Sequence, residues 1–192
     1  MHAIVVCASP RKGGNTELLV RRCLDGLEQR GITGKLVTLR DKTIRPCTAC
    51  GTCAKRKDRT CATKDDDFHP VFEKLLAADI IVVGSPVYFG SATPELMALL
   101  DRAGSVSRQC GNLLSRKLGG PIAVARRAGH NFTYAQLLFW YMINDMVVPG
   151  SSYWNVALAG PAGAVSNDSE ALATIDRFAE NLAWLAGCVQ SR

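Results

Sequence analysis

Four cysteines lie close together in the first third of the chain and form its clearest chemical pattern. They follow the spacing Cys-x2-Cys-x2-Cys-x7-Cys, and they are Cys47, Cys50, Cys53 and Cys61. Three thiolates at this spacing on a compact loop can hold three irons of a cubic cluster, and a fourth cysteine a little further on can complete it. The spacing therefore predicts a metal-binding loop, with an iron-sulfur cluster as the first hypothesis.

Zinc and metal-free thiols are the alternatives for these four cysteines. Structural zinc sites mostly use two short Cys-x-x-Cys pairs separated by a longer span, and three evenly spaced cysteines match that pattern less well. Free thiols or a loop disulfide need no metal, although clustered cysteines in a reducing compartment favour metal or redox chemistry. Of the other cysteines, Cys7 and Cys23 fall on apolar stripes and are predicted core residues, whereas the sequence assigns no role to Cys110 or Cys188.

A second pattern joins a predicted strand to a predicted helix at residues 9–16, with the sequence Ser-Pro-Arg-Lys-Gly-Gly-Asn-Thr. Hydroxyls, an amide, two glycines and the free N–H groups of a helix N-terminus suit a phosphate monoester. The segment contains neither Gly-x-Gly-x-x-Gly nor Gly-x4-Gly-Lys-Ser/Thr, the two common nucleotide motifs. The candidate phosphate-binding residues are Ser9, Arg11, Gly14, Asn15 and Thr16.

A third pattern follows another predicted strand, at residues 84–90, and reads Gly-Ser-Pro-Val-Tyr-Phe-Gly. Its apolar and aromatic side chains offer area for packing on a planar ring, while its backbone groups can reach a polar ring edge. Ordinary core positions for the two aromatic residues are the alternative. The candidate ring-binding residues are Pro86, Val87, Tyr88, Phe89 and Gly90.

Alternating strand and helix patterns position these segments. Short β-branched and apolar runs predict strands at Ala3–Ala8, Lys35–Leu39, Ile80–Val83, Pro121–Ala125, and either Met146–Val148 or Tyr153–Ala157. Apolar residues at helical spacing predict helices over Thr16–Arg30, after Asp65-Asp66-Asp67, from Thr93-Pro94, over Phe132–Met146, and after a capping pair formed by Asn167 and Glu170. This alternation predicts an α/β fold with a parallel sheet covered on both faces, on which ligands bind at the carboxyl ends of strands.

Length and composition narrow the class of protein. With 192 residues, we expect one domain over 1–192, with the cysteine segment as an insertion at about 44–64. A content of 47% apolar and 21% charged residues excludes disorder, and no apolar run approaches the ~18 residues of a membrane span. The first apolar run is too short for a signal peptide, so we expect a cytoplasmic protein without membrane contact. A net charge of +6 without interleaved aromatic residues does not favour nucleic-acid binding.

The second and third patterns resemble the flavodoxin-like NADPH-dependent FMN reductase superfamily. Residues 9–16 resemble its FMN-phosphate loop, residues 84–90 resemble the loop that packs on the isoalloxazine ring, and Thr93-Pro94-Glu95-Leu96 with Asp101-Arg102 continues the likeness. The resemblance implies bound FMN in a flavodoxin-like three-layer sandwich, whose five-stranded parallel sheet has the order 2-1-3-4-5. Arg126 follows another predicted strand, in a loop at residues 126–131 that departs from the Thr-Gly-rich version usual in this superfamily. One interpretation places Arg126 near the N1–C2 carbonyl region of the flavin, where its charge would stabilise the reduced anion. A solvated surface arginine is the alternative.

The cysteine spacing resembles the iron-sulfur flavoproteins of the same superfamily, which carry Cys-x2-Cys-x2-Cys-x4–7-Cys after the second strand. The resemblance implies a [4Fe-4S] cluster on Cys47, Cys50, Cys53 and Cys61 beside FMN. Flavins exchange hydride or single electrons and clusters move one electron at a time, so the pair would convert two-electron into one-electron chemistry. The implied function is that of an FMN-dependent oxidoreductase in which the cofactors carry the chemistry and no side chain is catalytic.

Two other functions stay open. An FMN-only NAD(P)H-dependent reductase of quinones, flavins or other small acceptors would use the same flavin loops, with structural or zinc-binding cysteines. NAD(P)H would then stack transiently over the flavin, because the chain has no separate dinucleotide motif. A flavin- or metal-binding regulatory protein would have no turnover of its own.

Partners follow from charge and from the resemblance. The basic segment Lys55-Arg56-Lys57 beside the cysteines would suit an acidic electron carrier such as a ferredoxin. Members of the superfamily are commonly dimers or tetramers, so the resemblance implies a homodimer or homotetramer.

Overall fold

The computed structural model describes residues 1–190, in which strands and helices alternate along the whole chain. The strands are β1 (His2–Cys7), β2 (Thr33–Thr38), β3 (Ile80–Pro86), β4 (Leu118–Ala125) and β5 (Val156–Leu158). The helices are α1 (Asn15–Glu28), α2 (Thr52–Arg56), α3 (Phe68–Ala77), α4 (Pro94–Gln109), α5 (His130–Ile143) and α6 (Ser169–Gln190), with a short 3-10 helix at Ala164–Asn167. Among these residues, no helix is both long and apolar enough to cross a bilayer.

The five strands pair in parallel in the order β2-β1-β3-β4-β5, which confirms the predicted flavodoxin-like sheet. β1 and β3 are neighbours in the sheet although β2 separates them in the chain. The connections that leave β1 and β3 therefore cross to opposite sides of the sheet, and a crevice opens between their carboxyl ends. The predicted phosphate-binding and ring-binding segments begin at these two ends.

Both faces of the sheet are buried, as the apolar strands predict. Alternate residues of β1 point to opposite sides: Ile4 and Val6 pack with α3, α4 and α5, whereas Val5 and Cys7 pack with α1 and α6. Cys23 lies on the buried stripe of α1, so both cysteines predicted in the core are there. The cysteine segment follows β2 and contains α2, a single short helix that the sequence analysis did not predict.

β4 begins three residues before its predicted start, because two glycines permit a close approach. A Cβ on Gly119 would lie 1.8 Å from the carbonyl oxygen of Ile81, and one on Gly120 would lie 2.8 Å from the ring of Phe178. β5 overlaps the second of its two predicted positions. The first, Met146–Val148, contributes only an isolated bridge between Val147 and Leu118.

The predicted cap of the last helix is wrong by one residue. Asn167 ends the 3-10 helix, and the Oδ1 of Asp168 accepts the N–H of Ala171 at 3.0 Å. Asp168 therefore caps α6, because the 3-10 turn before it sets where the longer helix can begin.

Candidate functional site

The loops that follow β1, β3, β4 and β5 surround a cleft at the carboxyl edge of the sheet. Nine of the predicted flavin-site residues line it: Ser9, Arg11, Gly14, Asn15, Thr16, Pro86, Val87, Tyr88 and Arg126. Val124 and three small residues after β5, Ala159, Gly160 and Ala162, complete the lining. The sequence analysis missed these four. Val124 is only one residue of a predicted strand, and the three small residues form no motif and reach the cleft only through the sheet order.

Local hydrogen bonds shape the loop after β1 into a cradle for an anion. The N–H of Arg11 donates to Ser9 Oγ at 3.2 Å, and the N–H of Gly14 donates to the Arg11 carbonyl at 3.3 Å. A Cβ on Gly14 would lie 3.2 Å from the Cβ of Arg11 and 3.3 Å from Ser9 Oγ. Glycine therefore keeps space open before the first turn of α1, whose N–H groups have no partner within the helix. This cradle fits the phosphate of FMN.

The side chain of Asn15 makes its hydrogen bonds within the chain. It is buried, and its Nδ2 donates to the carbonyls of Ala159 at 3.2 Å and Pro161 at 2.7 Å, while its Oδ1 accepts the N–H of Val165 at 3.2 Å. Both amide donors are thus used within the chain. Asn15 joins the loop after β1 to the segment after β5 and thereby sets the width of the cleft.

Glu17 supports the same loop from inside α1. Its buried carboxylate accepts the N–H of Gly13 at 3.0 Å and pairs with Arg21 at 2.8 Å and Arg40 at 3.0 Å. Burial alone would raise the pKa of Glu17, but these hydrogen bonds lower it to about 2. The carboxylate is therefore ionised, and the two arginines balance its negative charge near the predicted anion site. The sequence analysis missed Glu17 because Arg40 meets it only after β2 has paired with β1.

The loop after β3 forms a two-residue turn between Tyr88 and Ser91, which exchange N–H to carbonyl hydrogen bonds of 2.9 and 3.0 Å. The two central residues, Phe89 and Gly90, have φ values of 52° and 81°, the left-handed geometry of a tight hairpin turn. Phe89 is fully exposed and Tyr88 is 39% exposed, so neither is a core residue. Tyr88 lines the cleft, whereas Phe89 and Gly90 form the turn at its rim, outside the lining.

Arg126 directly follows β4 and lines the cleft. Its side chain passes close to the backbone after β5, because a Cβ on Gly160 would lie 3.5 Å from Arg126 Cγ. Among residues 1–190, no carboxylate pairs with this exposed guanidinium. Its charge is thus available to an anionic or carbonyl group in the cleft.

The four clustered cysteines line a single cavity of about 180 Å³ between the cysteine segment and α4. Cys47 and Cys50 are exposed, whereas Cys53 and Cys61 are half-buried and pack against the core beneath α4. Within the described chain, no three His, Cys, Asp or Glu side chains converge as a single metal ion requires. The structure therefore brings the four predicted residues to one cavity, with their thiols spread around its wall.

The thiols of this cavity differ in their electrostatic surroundings. The hydrogen bond between Cys50 Sγ and Thr52 Oγ1, at 3.3 Å, lowers the pKa of Cys50, whereas burial raises the pKa of Cys53. Cys50 is therefore the more readily deprotonated of the two. The thiolate is the form that binds metal.

Arg102 of α4 holds the cysteine segment at both ends. Its Nη1 donates to the carbonyl of Arg45 at 3.2 Å and to the carboxylate of Asp66, and its Nη2 donates to the carbonyl of Thr63 at 2.8 Å. The guanidinium carbon lies 4.0 Å from the ring centre of Phe68. Arg45 precedes the first clustered cysteine and Thr63 follows the last, so one buried side chain closes the loop that carries all four.

The fold and the cleft define a flavodoxin-like flavin-binding protein, and solved structures have the same fold. RosB with bound 8-demethyl-8-formylriboflavin-5'-phosphate superposes with a TM-score of 0.76 at 19% identity, over 100% of this chain and 81% of that one. A flavodoxin from the domain Archaea gives 0.65 at 16% identity, over 97% and 99%.

The NADPH-dependent FMN reductase family model matches residues 1–160, so the chain belongs to this family of FMN-dependent oxidoreductases. An iron-sulfur flavoprotein of Methanocaldococcus jannaschii is 33% identical over 190 residues, or 95% of this chain and 96% of the relative. Another from Methanosarcina thermophila is 31% identical over 188 residues, or 96% and 95%. These relatives confirm the resemblance to iron-sulfur flavoproteins seen in the sequence.

Proposed function

We propose that this FMN-dependent oxidoreductase holds a [4Fe-4S] cluster on Cys47, Cys50, Cys53 and Cys61 and passes electrons between FMN and the cluster. The observation that carries the proposal is the single cavity that all four cysteines line. The curated relatives named iron-sulfur flavoproteins support it over nearly the whole chain. A cubic cluster takes one thiolate at each of four iron corners, which suits thiols spread around a cavity wall.

The protein's part is to bind and orient the flavin. The first-turn N–H groups of α1 would hold the phosphate together with Ser9, Thr16 and Arg11, and Pro86 with Tyr88 would pack on the ring. Arg126 would stabilise negative charge at the carbonyl edge of the ring by its own positive charge. When bound, FMN supplies hydride and single-electron chemistry, while these residues hold it in place and exclude water from one ring face.

α4 supports coupling between the two sites, because it begins after the loop of one and lines the cavity of the other. It begins at Pro94, directly after the loop that follows β3, and Arg102 further along lines the cysteine cavity. Eight helical residues correspond to about 12 Å along the axis. A single rigid helix therefore sets the separation between the ring-binding loop and the cysteines.

Metal analysis of protein purified without oxygen tests this function. We expect about four iron and four acid-labile sulfide per chain beside bound FMN. Cys50→Ser should lose iron and sulfide together and keep FMN, while Cys110→Ser, a control outside the cavity lining, should keep both. Stoichiometric zinc, or no metal beside normal FMN, would exclude the cluster.

The description of the matched family model favours a second candidate, an NADPH-dependent reductase of quinones, flavins or other small acceptors. In that case the open cleft would admit NAD(P)H beside the ring, and the cysteines would serve structure or bind zinc. Anaerobic mixing with NADPH or NADH separates the two functions. Rapid flavin bleaching and turnover that survive in Cys50→Ser would support the FMN-only reductase, and no turnover with any donor or carrier would support a regulatory protein.

An acidic electron carrier such as a ferredoxin is the protein partner that we propose for the cysteine side. In the basic segment, Arg56 is already paired with Asp58, so the exposed Lys55 and Lys57 supply the free charge. Reversing both lysines should slow reduction by the carrier at low salt and have less effect at high salt. Reversing Lys35 on β2 is the control, and an equal effect there would exclude specific docking.

We also propose a homodimer or homotetramer assembled on α5. This helix exposes Phe132, Phe139, Met142 and Ile143, and Trp154 is exposed as well. Such a concentration of exposed apolar side chains is typical of interfaces. Sedimentation of the FMN-loaded protein should show an oligomer that Phe139→Asp dissociates. A monomeric wild type would exclude this assembly.

A further inference from the structure

Arg102 has one side-chain nitrogen that donates no hydrogen bond within the described chain. Its Nη1 and Nη2 donate to Asp66 and to two backbone carbonyls, whereas its Nε is buried and has no partner. The side chain is completely inaccessible to solvent, and so is its partner Asp66. Buried polar groups are nearly always hydrogen-bonded, and an acceptor from outside the polypeptide would satisfy this Nε–H.

The position of Arg102 indicates what that acceptor is. Arg102 lines the cavity that the four clustered cysteines line, and the other α4 residues there, Ser105, Val106 and Gln109, carry no charge. We propose that Arg102 Nε donates a hydrogen bond to a sulfur of the cluster held by these cysteines. This inference rests on the proposed function and adds a positioning residue to it.

The hydrogen bond has a definite electrostatic consequence. Reduction adds one negative charge to a cluster, and N–H groups that donate to its sulfurs stabilise the more negative state. Arg102 is cationic, buried and packed against Phe68, so its charge is poorly screened by water. Arg102 therefore raises the reduction potential of the cluster and also holds the ends of the loop.

Pulsed EPR of the reduced protein, grown with ¹⁵N-labelled arginine and kept anaerobic, tests this contact directly. We expect a ¹⁵N hyperfine coupling to the cluster in the wild type, its loss in Arg102→Lys, and its retention in Asp66→Asn. Asp66→Asn is the matched control because it weakens the same loop clamp but leaves Nε in place. The reduction potential should fall in Arg102→Lys and should not fall in Asp66→Asn, which removes a nearby negative charge.

The outcomes separate this inference from the proposed function. Iron and sulfide present at the expected stoichiometry, without a ¹⁵N coupling in the wild type, would show that Arg102 only clamps the loop and would overturn the inference alone. Equal downward shifts of potential in both variants would also overturn it, since loop loosening would then explain both. No iron or sulfide in the wild type would overturn the proposed function together with the inference. If Arg102→Lys fails to fold, a ¹⁵N coupling in both the wild type and Asp66→Asn would support the inference, and its absence from both would overturn it.

Discussion

The cleft at the carboxyl edge of the sheet and the cysteine cavity beside α4 are built differently. Loops that leave four strands form the cleft, and hydrogen bonds from Asn15 and Glu17 tie two of its walls to other elements. The cavity is formed by a long connection whose only regular element is α2, and residues 45–51 of it are exposed. Ala49, Lys57 and Arg59 also adopt the left-handed backbone region that non-glycine residues avoid.

This contrast separates a site that strand pairing forms from a site that a few side-chain contacts hold. The cleft is preformed, because pairing of the strands alone brings its walls together. The cysteine segment depends mainly on Arg102, on contacts of Cys53 and Cys61 with the core and, under the proposed function, on the group that its thiols bind. Substitutions in one region should therefore leave the other largely unchanged.

Breaking the clamp on the cysteine segment should have the largest effect. Arg102→Leu leaves the carboxylate of Asp66 buried without an opposite charge, held only by the N–H groups of Arg45 and Phe68, which should lower the free energy of unfolding by about 3–5 kcal/mol. Replacing both residues by leucine should recover part of that loss, because no lone charge remains. Urea unfolding of the two variants measures this, and FMN titration should show little change in affinity. A double variant no more stable than the single one would contradict the ion-pair explanation.

Acid should weaken the cleft through Glu17. Its pKa is lowered in the folded state to about 2 from an ordinary value of 4.5, so its contribution is fully present above about pH 5 and is lost as pH falls toward 2. The contribution amounts to at most about 3 kcal/mol. Urea unfolding of wild type and Glu17→Gln should differ most at neutral pH and converge in acid. If the difference in the free energy of unfolding between the two proteins stayed constant from pH 6 to pH 3, the ionised carboxylate would not be its source.

Filling the phosphate cradle should weaken FMN binding without unfolding the protein. A Cβ on Gly14 meets Ser9 and Arg11 at close range on a backbone that tolerates alanine, so Gly14→Ala should lower FMN affinity by roughly tenfold, or about 1.4 kcal/mol. Gly13→Ala is the control, because its φ of 64° costs about 1–2 kcal/mol of stability while its Cβ meets open space. Equal affinities of the two variants for FMN would show that the cradle does not hold the phosphate.

The smallest effect is expected at Phe89 on the rim of the cleft. Asparagine tolerates the left-handed backbone there, and with Gly90 it forms the preferred hairpin turn, so Phe89→Asn should raise the free energy of unfolding by up to about 1 kcal/mol. If the exposed ring serves the flavin or a partner subunit, the same variant should bind FMN or assemble less well. Greater stability without any loss of binding or assembly would mean that Phe89 has no role in either.

The fold and most of the flavin cleft could be predicted, because both follow from local signals. Branched apolar runs predict strands such as Ile80–Val83, and the turn chemistry of residues 9–16 predicts an anion site wherever a strand feeds a helix. Local signals also explain the errors. Asn167 and Glu170 have the spacing of a cap, but the 3-10 turn that ends at Asn167 moved the cap to Asp168.

By itself, the sequence determined the α/β alternation, the position of both ligand-binding loops and the set of four cysteines, since each is set by residues close together in the chain. Only the tertiary structure decided that Asn15 is bonded to the segment after β5, that Arg40 neutralises Glu17, and that Arg102 spans the cysteine loop with one donor unpaired. These contacts join residues that are 23 to 150 positions apart. Their existence depends on strand order and helix packing, which place the partners together only after the whole sheet has formed.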